Sequence, residues 1–310
     1  MHNEVGVGWN PPSLSGRVAL VTGASRGVGR GIALALGQTG AKVYATGRSR
    51  KGGPTTENLP GTVDDTAEEI VARGGQAEAV TCNQTVDEDV AGLVERVRRT
   101  DGRVDILVNC AWAGYERGTE VPFDAPFWKQ PMWRYDLFAG SVRGAYHTSK
   151  LVASLMVERK KGLIVHISFT HGTTFLGQTA YDVFKFASDR MAEVMAHELR
   201  KHNVASVALH PGLLRTERVE AAWSLLGDGP AKVAHSPEYV GRAIAHLAAD
   251  ENVIELTGSR LAVGDLAEKY AFNDTDGRRI PAFKLEGRMS LAARMERLNR
   301  VAARHADAQT

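Results

Sequence analysis

From Arg17 onward, short β-branched runs alternate with longer stretches whose apolar residues recur at helical spacing, and this alternation most narrows the possible folds. Seven candidate strands lie at 18–22, 42–46, 78–82, 104–109, 163–168, 204–209 and 260–263. Between them run patterns such as Val28, Ile32, Leu34 and Leu36, spaced as on one helix face. Strand–helix alternation with apolar strands reads as a parallel sheet covered on both faces. The expected class is therefore α/β, a doubly wound seven-stranded parallel sheet, with its sites at the carboxyl ends of the strands.

Residues 1–16 read as a loose N-terminal arm containing Pro11-Pro12. A main domain is expected over 17–266, including a loop at 216–236 that interrupts the path from the sixth strand to a helix at 237–249. Residues 48–63, with three glycines and two prolines, form a second long loop. Residues 267–310 extend beyond the last strand, and Met289, Ala292, Met295, Leu298 and Ala302 predict an amphipathic helix there.

At 310 residues with 43% hydrophobic, the chain can bury a large core without staples. Lys and Arg number 38 against 36 Asp and Glu, a balance that gives no reason to expect nucleic acid or an anionic membrane as partner. Cys82 and Cys110 fit a reducing compartment and have no metal-ligand spacing. The N-terminus lacks a signal-peptide pattern and no stretch of 18 apolar residues occurs, so a cytoplasmic location with no membrane span is expected. The ten histidines are scattered; His166 and His171 flank the end of the fifth strand without a carboxylate or thiol to complete a metal site, and no metal is expected.

Gly23-Ala24-Ser25-Arg26-Gly27-Val28-Gly29 directly follows the first strand and opens a helix. Glycines there let the backbone turn tightly and approach a pyrophosphate, while the helix N-terminus offers free N–H donors and a favourable dipole. Asn109-Cys110-Ala111-Trp112-Ala113-Gly114 ends the fourth strand, Tyr181 and Lys185 stand four apart, and Pro211-Gly212 is followed by Thr216. With Thr22 through Gly29 matching TGxxxGxG, these segments resemble the NNAG, YxxxK and PG…T motifs of the short-chain dehydrogenase/reductase superfamily. The resemblance spans 17–265 and implies a Rossmann-type fold. The Trp112-Ala113 insertion, Leu59-Pro60-Gly61-Thr62 and the long C-terminal segment narrow it to the branch that includes dehydrogenase/reductase SDR family member 1 and its bacterial relatives.

The resemblance implies a nicotinamide cofactor held by Gly23, Ser25, Arg26, Gly27, Val28, Gly29, Asn109, Ala111, Tyr181, Lys185, Pro211, Gly212 and Thr216. An acidic residue after the second strand would hydrogen-bond a ribose 2′-hydroxyl and repel a 2′-phosphate. Thr46-Gly47-Arg48-Ser49-Arg50-Lys51 carries no carboxylate, and Arg48 with Arg26 suits a phosphate, so NADP(H) is preferred with NAD(H) as the lesser option. Asn83 stands where the family usually has an adenine-binding Asp, and its amide oxygen can still accept from the adenine amino group.

On one helix Tyr181 and Lys185 share a face. A free phenol has a pKa of about 10, and a neighbouring ammonium would lower it toward neutrality. By resemblance, Tyr181 protonates the carbonyl oxygen and Lys185 also holds the ribose hydroxyls. The family's catalytic serine is usually the second residue of Ile-Ser-Ser, where this chain has Ile167-Ser168-Phe169-Thr170. Ser168 precedes Tyr181 by thirteen residues, a usual spacing, yet a one-residue shift along a strand reverses side-chain direction. Three accounts remain open: a bulge turns Ser168 inward, Thr170 or His171 substitutes, or the site is impaired; Ser168 is the preferred candidate. Ser141 stands where the family has an asparagine that helps hold a proton path to the lysine.

Trp112, Tyr115, Phe169, Phe175, Leu213, Leu214, Trp223, Leu225 and Leu226 fall in segments expected around the carbonyl, though each could equally be core. An apolar pocket suits a hydrophobic ketone or aldehyde, and the resemblance implies reduction of steroid-like and xenobiotic carbonyls. The leading expectation is an NADPH-dependent carbonyl reductase or the reverse alcohol dehydrogenase. A cofactor-binding sensor with a degenerate site and a 3-oxoacyl thioester reductase are the alternatives. The resemblance also implies a homodimer or homotetramer formed through 133–158 and 179–201.

Overall fold

The computed structural model describes residues 9–118, 120–170, 174–221 and 233–284. His171, the residues Trp223, Leu225 and Leu226, and the amphipathic helix expected over 289–302 lie outside the described residues. Seven strands among the described residues form one parallel sheet: β1 (Val18–Thr22), β2 (Lys42–Gly47), β3 (Gln76–Thr81), β4 (Ile106–Asn109), β5 (Gly162–Ile167), β6 (Val204–His210) and β7 (Arg260–Ala262). Helices α1 (Gly27–Gln38), α2 (Val63–Ala72), α3 (Asp87–Asp101), α4 (Met132–Arg159), α5 (Thr179–Leu199), α6 (Glu217–Ala221), α7 (Pro237–Ala249) and α8 (Val263–Tyr270) connect and flank them. Every residue of β1 and β4 is buried, which is why these strands are continuous apolar runs rather than alternating ones.

The strand order is β3-β2-β1-β4-β5-β6-β7. The chain therefore winds outward from β1 in one direction and resumes on its other side with β4. The strand order reverses between β1 and β4, so the loops after these two strands mark the topological switch point at the carboxyl edge. Register brings Thr22 beside Thr46, Val21 beside Val108 and Asn109 beside His166, so the loops after β1, β2, β4 and β5 emerge in one row.

Helix α1 crosses α7 at close range. A Cβ on Gly31 would lie 2.4 Å from the Pro237 carbonyl carbon, and one on Gly241 2.5 Å from the Ala35 Cβ. Both ends of the described chain join this layer. Trp9 is buried under the Arg242 guanidinium, 4.7 Å from its ring centroid, and its indole N–H donates to His246 Nε2 at 3.2 Å. Phe272 and Ile280 enter the same core, and the buried Asp274 carboxylate accepts from the Ser236 N–H at 2.8 Å. The chain after α8 then returns to the carboxyl edge, where Phe283 meets Phe169 at 5.9 Å between ring centroids.

Candidate active site

The glycine loop fits a phosphate-bearing dinucleotide. Gly23 has φ +71° and Gly27 φ +53°, both in the left-handed region that favours glycine. A Cβ on Gly23 would lie 2.8 Å from the Ala111 Cα, and one on Gly29 only 2.2 Å from the Gly23 carbonyl oxygen. The Thr22 hydroxyl fixes the neighbouring strand end, accepting from the N–H groups of Cys110 at 3.0 Å and Ala111 at 3.1 Å. Ser25 is buried in the loop and Val28 packs on the core. At the opening turn of α1, the Gly27 N–H donates to the Glu217 carboxylate at 3.0 and 3.2 Å. The carboxylate sits at the end of α1 where free N–H groups and the helix dipole favour negative charge. Thr216, beside Glu217, lies 3.6 Å from a Cβ built on Gly27, so the PG…T segment closes over the loop.

Arginines gather at the end of β2. Arg26 donates to the Ser49 hydroxyl at 3.0 Å and to the carbonyls of Leu59, Pro60 and Gly61 at 3.2, 3.0 and 2.9 Å. It is thus the clamp of the 59–61 loop as well as a cation. Arg48 pairs with Glu116 from the loop after β4. Ser49, 1% exposed and at the centre of this cluster, was missed by motif reading although it directly follows Arg48. The Asn83 amide oxygen accepts from the Thr85 N–H at 3.2 Å and hydroxyl at 2.9 Å.

Tyr181 and Lys185 lie one turn apart on α5, and both are buried. Gln178 caps the helix by accepting from the Tyr181 N–H. Tyr181 is ringed by Trp112, Tyr115, Phe123 and Phe138, at centroid distances of 5.9, 6.1, 5.4 and 6.0 Å. This burial pushes its phenol well above the ordinary tyrosine value. The Lys185 ammonium sits 3.7 Å from the Trp112 ring centroid and 5.6 Å from that of Tyr181. Burial lowers Lys185 to about 8, with Cys110 and Asp189 opposing the shift. Phe123 and Phe138 were not singled out from the sequence, because nothing local separates them from ordinary core residues.

The residues around the expected serine position turn elsewhere. Ser168 is 1% exposed, and its hydroxyl donates to the Lys185 carbonyl at 2.9 Å. The Thr170 hydroxyl donates to Asp189 at 2.6 Å, and Phe169 packs on Phe283. The Ser141 hydroxyl donates to the Leu137 carbonyl at 2.8 Å and accepts from the Ala113 N–H at 3.0 Å. Asn109 donates to the Ser149 hydroxyl at 2.9 Å, holding the end of β4 against α4. Behind the site, Asp189 accepts from His210 at 2.9 Å; burial disfavours its charge, but the bonds from His210 and Thr170 keep its carboxyl below the usual range. Its spacing of four from Lys185 was the legible signal for this partner. His235 hydrogen-bonds the Pro211 carbonyl, and Gly212, with φ +89°, closes on Phe283.

Residues 17–224 match the family model for short chain dehydrogenase. The chain belongs to the short-chain dehydrogenase family. It is 39% identical over 281 residues to dehydrogenase/reductase SDR family member 1 of Mus musculus, covering 86% of each chain. A 3-oxoacyl-[acyl-carrier-protein] reductase of Synechocystis sp. is 32% identical over 258 residues, covering 81% of this chain and 96% of that one. Among solved structures, a metagenomic short-chain oxidoreductase in complex with NADP superposes with a TM-score of 0.63 at 29% identity, covering 80% of this chain and 96% of that one. The dehydrogenase is thus an NAD(P)-dependent oxidoreductase acting on alcohol or carbonyl groups of small molecules. Among its described residues no helix is long and apolar enough to cross a membrane.

Proposed function

We propose that this dehydrogenase reduces hydrophobic ketones or aldehydes with NADPH, or oxidises the corresponding alcohols, with Tyr181 as the general acid. The observation that carries this reading is the aromatic wall of Trp112, Tyr115, Phe123 and Phe138 around the Tyr181 phenol. Such a wall excludes water and favours an apolar carbonyl over a sugar. The bound nicotinamide supplies the hydride when the carbonyl is reduced. Tyr181 gives its proton to the carbonyl oxygen as negative charge develops there, and Lys185 holds the ribose and supplies the positive charge that stabilises the phenolate. Ser168 is the preferred serine of this reading by its spacing, while its bond to the Lys185 carbonyl supports a role in positioning that lysine.

NADPH oxidation should therefore be followed across hydrophobic ketones, aldehydes and quinones, with NADH in parallel. Turnover lost in Tyr181→Phe supports the reading. Dependence on an acyl carrier or coenzyme A thioester would favour the 3-oxoacyl reductase instead. Saturable NADPH binding with no turnover of any carbonyl would favour a cofactor sensor.

Preference for the 2′-phosphate rests on Arg48 and Arg26 with no carboxylate in 46–51. Arg48→Ala is expected to weaken NADPH binding by about tenfold to a hundredfold while NADH affinity holds, since a charge-assisted hydrogen bond is worth about 1.5–3 kcal/mol. In the same titrations, Glu217→Gln should tighten both cofactors by about tenfold, because the cradle no longer has to release its own carboxylate before accepting a pyrophosphate. Equal NADPH and NADH losses for Arg48→Ala would remove it from the phosphate site.

Residues 17–266 form the catalytic unit in this reading, and 267–310 an extension that reaches the site through Phe283. The free cysteines Cys82 and Cys110 support a reducing, cytoplasmic setting. Tyr146 on α4 and Val183 on α5 are each 55% exposed, which supports subunit pairing through 133–158 and 179–201. Light scattering at micromolar concentration should give a dimer or tetramer, and a monomer would end that assignment.

A further inference from the structure

The segment from Phe272 to Phe283 is fastened to α7 and α8 before it reaches the carboxyl edge. The buried Tyr239 phenol donates to the Ile280 carbonyl at 3.1 Å and accepts from the Ile280 N–H at 3.2 Å. The chain then runs flush on the start of α8: a Cβ on Gly264 would lie 2.2 Å from the Pro281 carbonyl carbon and 2.1 Å from the Ala282 nitrogen. Phe283 follows directly, and a Cβ on Gly212 would lie 2.8 Å from the Phe283 Cβ. With φ +89° at Gly212, neither its backbone nor the space beside it suits a larger residue. Close packing on both sides thus sets where the Phe283 ring begins.

That ring packs on the cluster of Phe138, Leu176 and Tyr181, yet it stays half-buried. Phe169 joins the same cluster and is also half-buried, with its ring centroid 5.9 Å from that of Phe283 and the planes at 51°. Phe169 follows β5 and Phe283 lies on the loop after β6, whereas Trp112 and Tyr115 follow β4. Strand β5 stands between β4 and β6, so aromatic rings reach Tyr181 from both flanks. A half-buried ring keeps apolar surface open to a ligand, and its face takes another flat ring edge-on or offset.

We infer that Phe283 is a specificity-determining residue: with Phe169 it forms a second aromatic wall of the carbonyl site and selects ketones bearing a flat aromatic or fused-ring group over small aliphatic ones. This deepens the carbonyl-reductase reading and rests on Tyr181 as the general acid there. A small aliphatic ketone reaches Tyr181 but leaves both rings uncovered, while a fused-ring ketone covers them. The gain is the same in the ground state and the transition state, so it belongs to KM rather than kcat.

The test measures kcat and KM with NADPH for acetylnaphthalene and butanone in wild type, Phe283→Ala, Phe283→Leu and Phe283→Tyr. Phe283→Ala should raise KM for acetylnaphthalene about tenfold with kcat within about twofold, and move the butanone KM much less. Phe283→Leu keeps apolar bulk without the flat face, so it should shift the acetylnaphthalene KM the same way by a smaller factor, and Phe283→Tyr should restore it. Equal losses on the two ketones, or an unchanged ratio of their kcat/KM values in both Phe283→Ala and Phe283→Leu, overturn the inference. Calorimetry of acetylnaphthalene binding to each variant in a Tyr181→Phe background holding NADPH needs no turnover. Turnover that persists in that background, or none in wild type, defeats the reading of Tyr181 instead, and the binding data then decide the wall by themselves. Binding about tenfold weaker with Phe283→Ala keeps it, and binding that is unchanged or undetectable throughout removes it.

Discussion

Gly29→Ala is expected to abolish measurable cofactor binding and to lower stability by about 3 kcal/mol. A Cβ there would lie 2.2 Å from the Gly23 carbonyl oxygen and 2.7 Å from its carbon, and backbone cannot swing aside as a flexible side chain can. Relief requires the loop to move away from α1, and that displaces the backbone N–H groups proposed to receive the phosphates. Two companions separate the effects. Gly31→Ala meets Pro237 at 2.4 Å, so it should destabilise the contact between α1 and α7 while leaving the loop intact. Gly92→Ala, on α3 with nothing within 4 Å, should stabilise slightly, by about 0.5–1 kcal/mol. Thermal unfolding with cofactor titration measures all three. Near-wild-type NADPH affinity in Gly29→Ala would mean that the cradle lies elsewhere.

Lys185→Met should lower turnover about a thousandfold and yet make the protein more stable at neutral pH. Burial lowers the Lys185 ammonium to about 8 from its ordinary value of 10.5. Between those values the unfolded chain holds a proton that the folded one has lost, so stability rises with pH across this window. Below pH 8 both states are charged and the whole burial penalty is present, about 3 kcal/mol. The ammonium regains about 1 kcal/mol over the Trp112 ring, which leaves a net gain of about 2 kcal/mol for methionine at pH 7. Denaturant unfolding at pH 7 and pH 10 checks the sign, since the advantage should shrink at the higher pH. A variant less stable than wild type at pH 7 would show that Lys185 is better compensated in the fold than its burial indicates.

Much of the fold was legible because its signals are local. An apolar run of five residues and an apolar stripe at helical spacing each follow from the rotation per residue of a strand or a helix. Gly23–Gly29 between β1 and α1, and Tyr181 with Lys185 on one face of α5, required no knowledge of distant residues. The serine question was of another kind. A strand-end side chain points according to what packs over it, and Ser168 ends with its hydroxyl on the carbonyl of Lys185.

By itself, then, the amino-acid sequence determined the α/β class, the glycine cradle, the arginines without a carboxylate after β2, and the tyrosine–lysine pair. Each is written in neighbouring residues whose spacing has a direct geometric meaning. Only the tertiary structure decided that Glu217 caps the helix opened by Gly27, 190 residues away, and that Tyr115 meets Tyr181 across 66. It also decided that Trp9 belongs to the core and that Phe283 returns to the site. Those contacts depend on the order in which strands lie side by side and on the close packing of the layers around them, and no local periodicity encodes either.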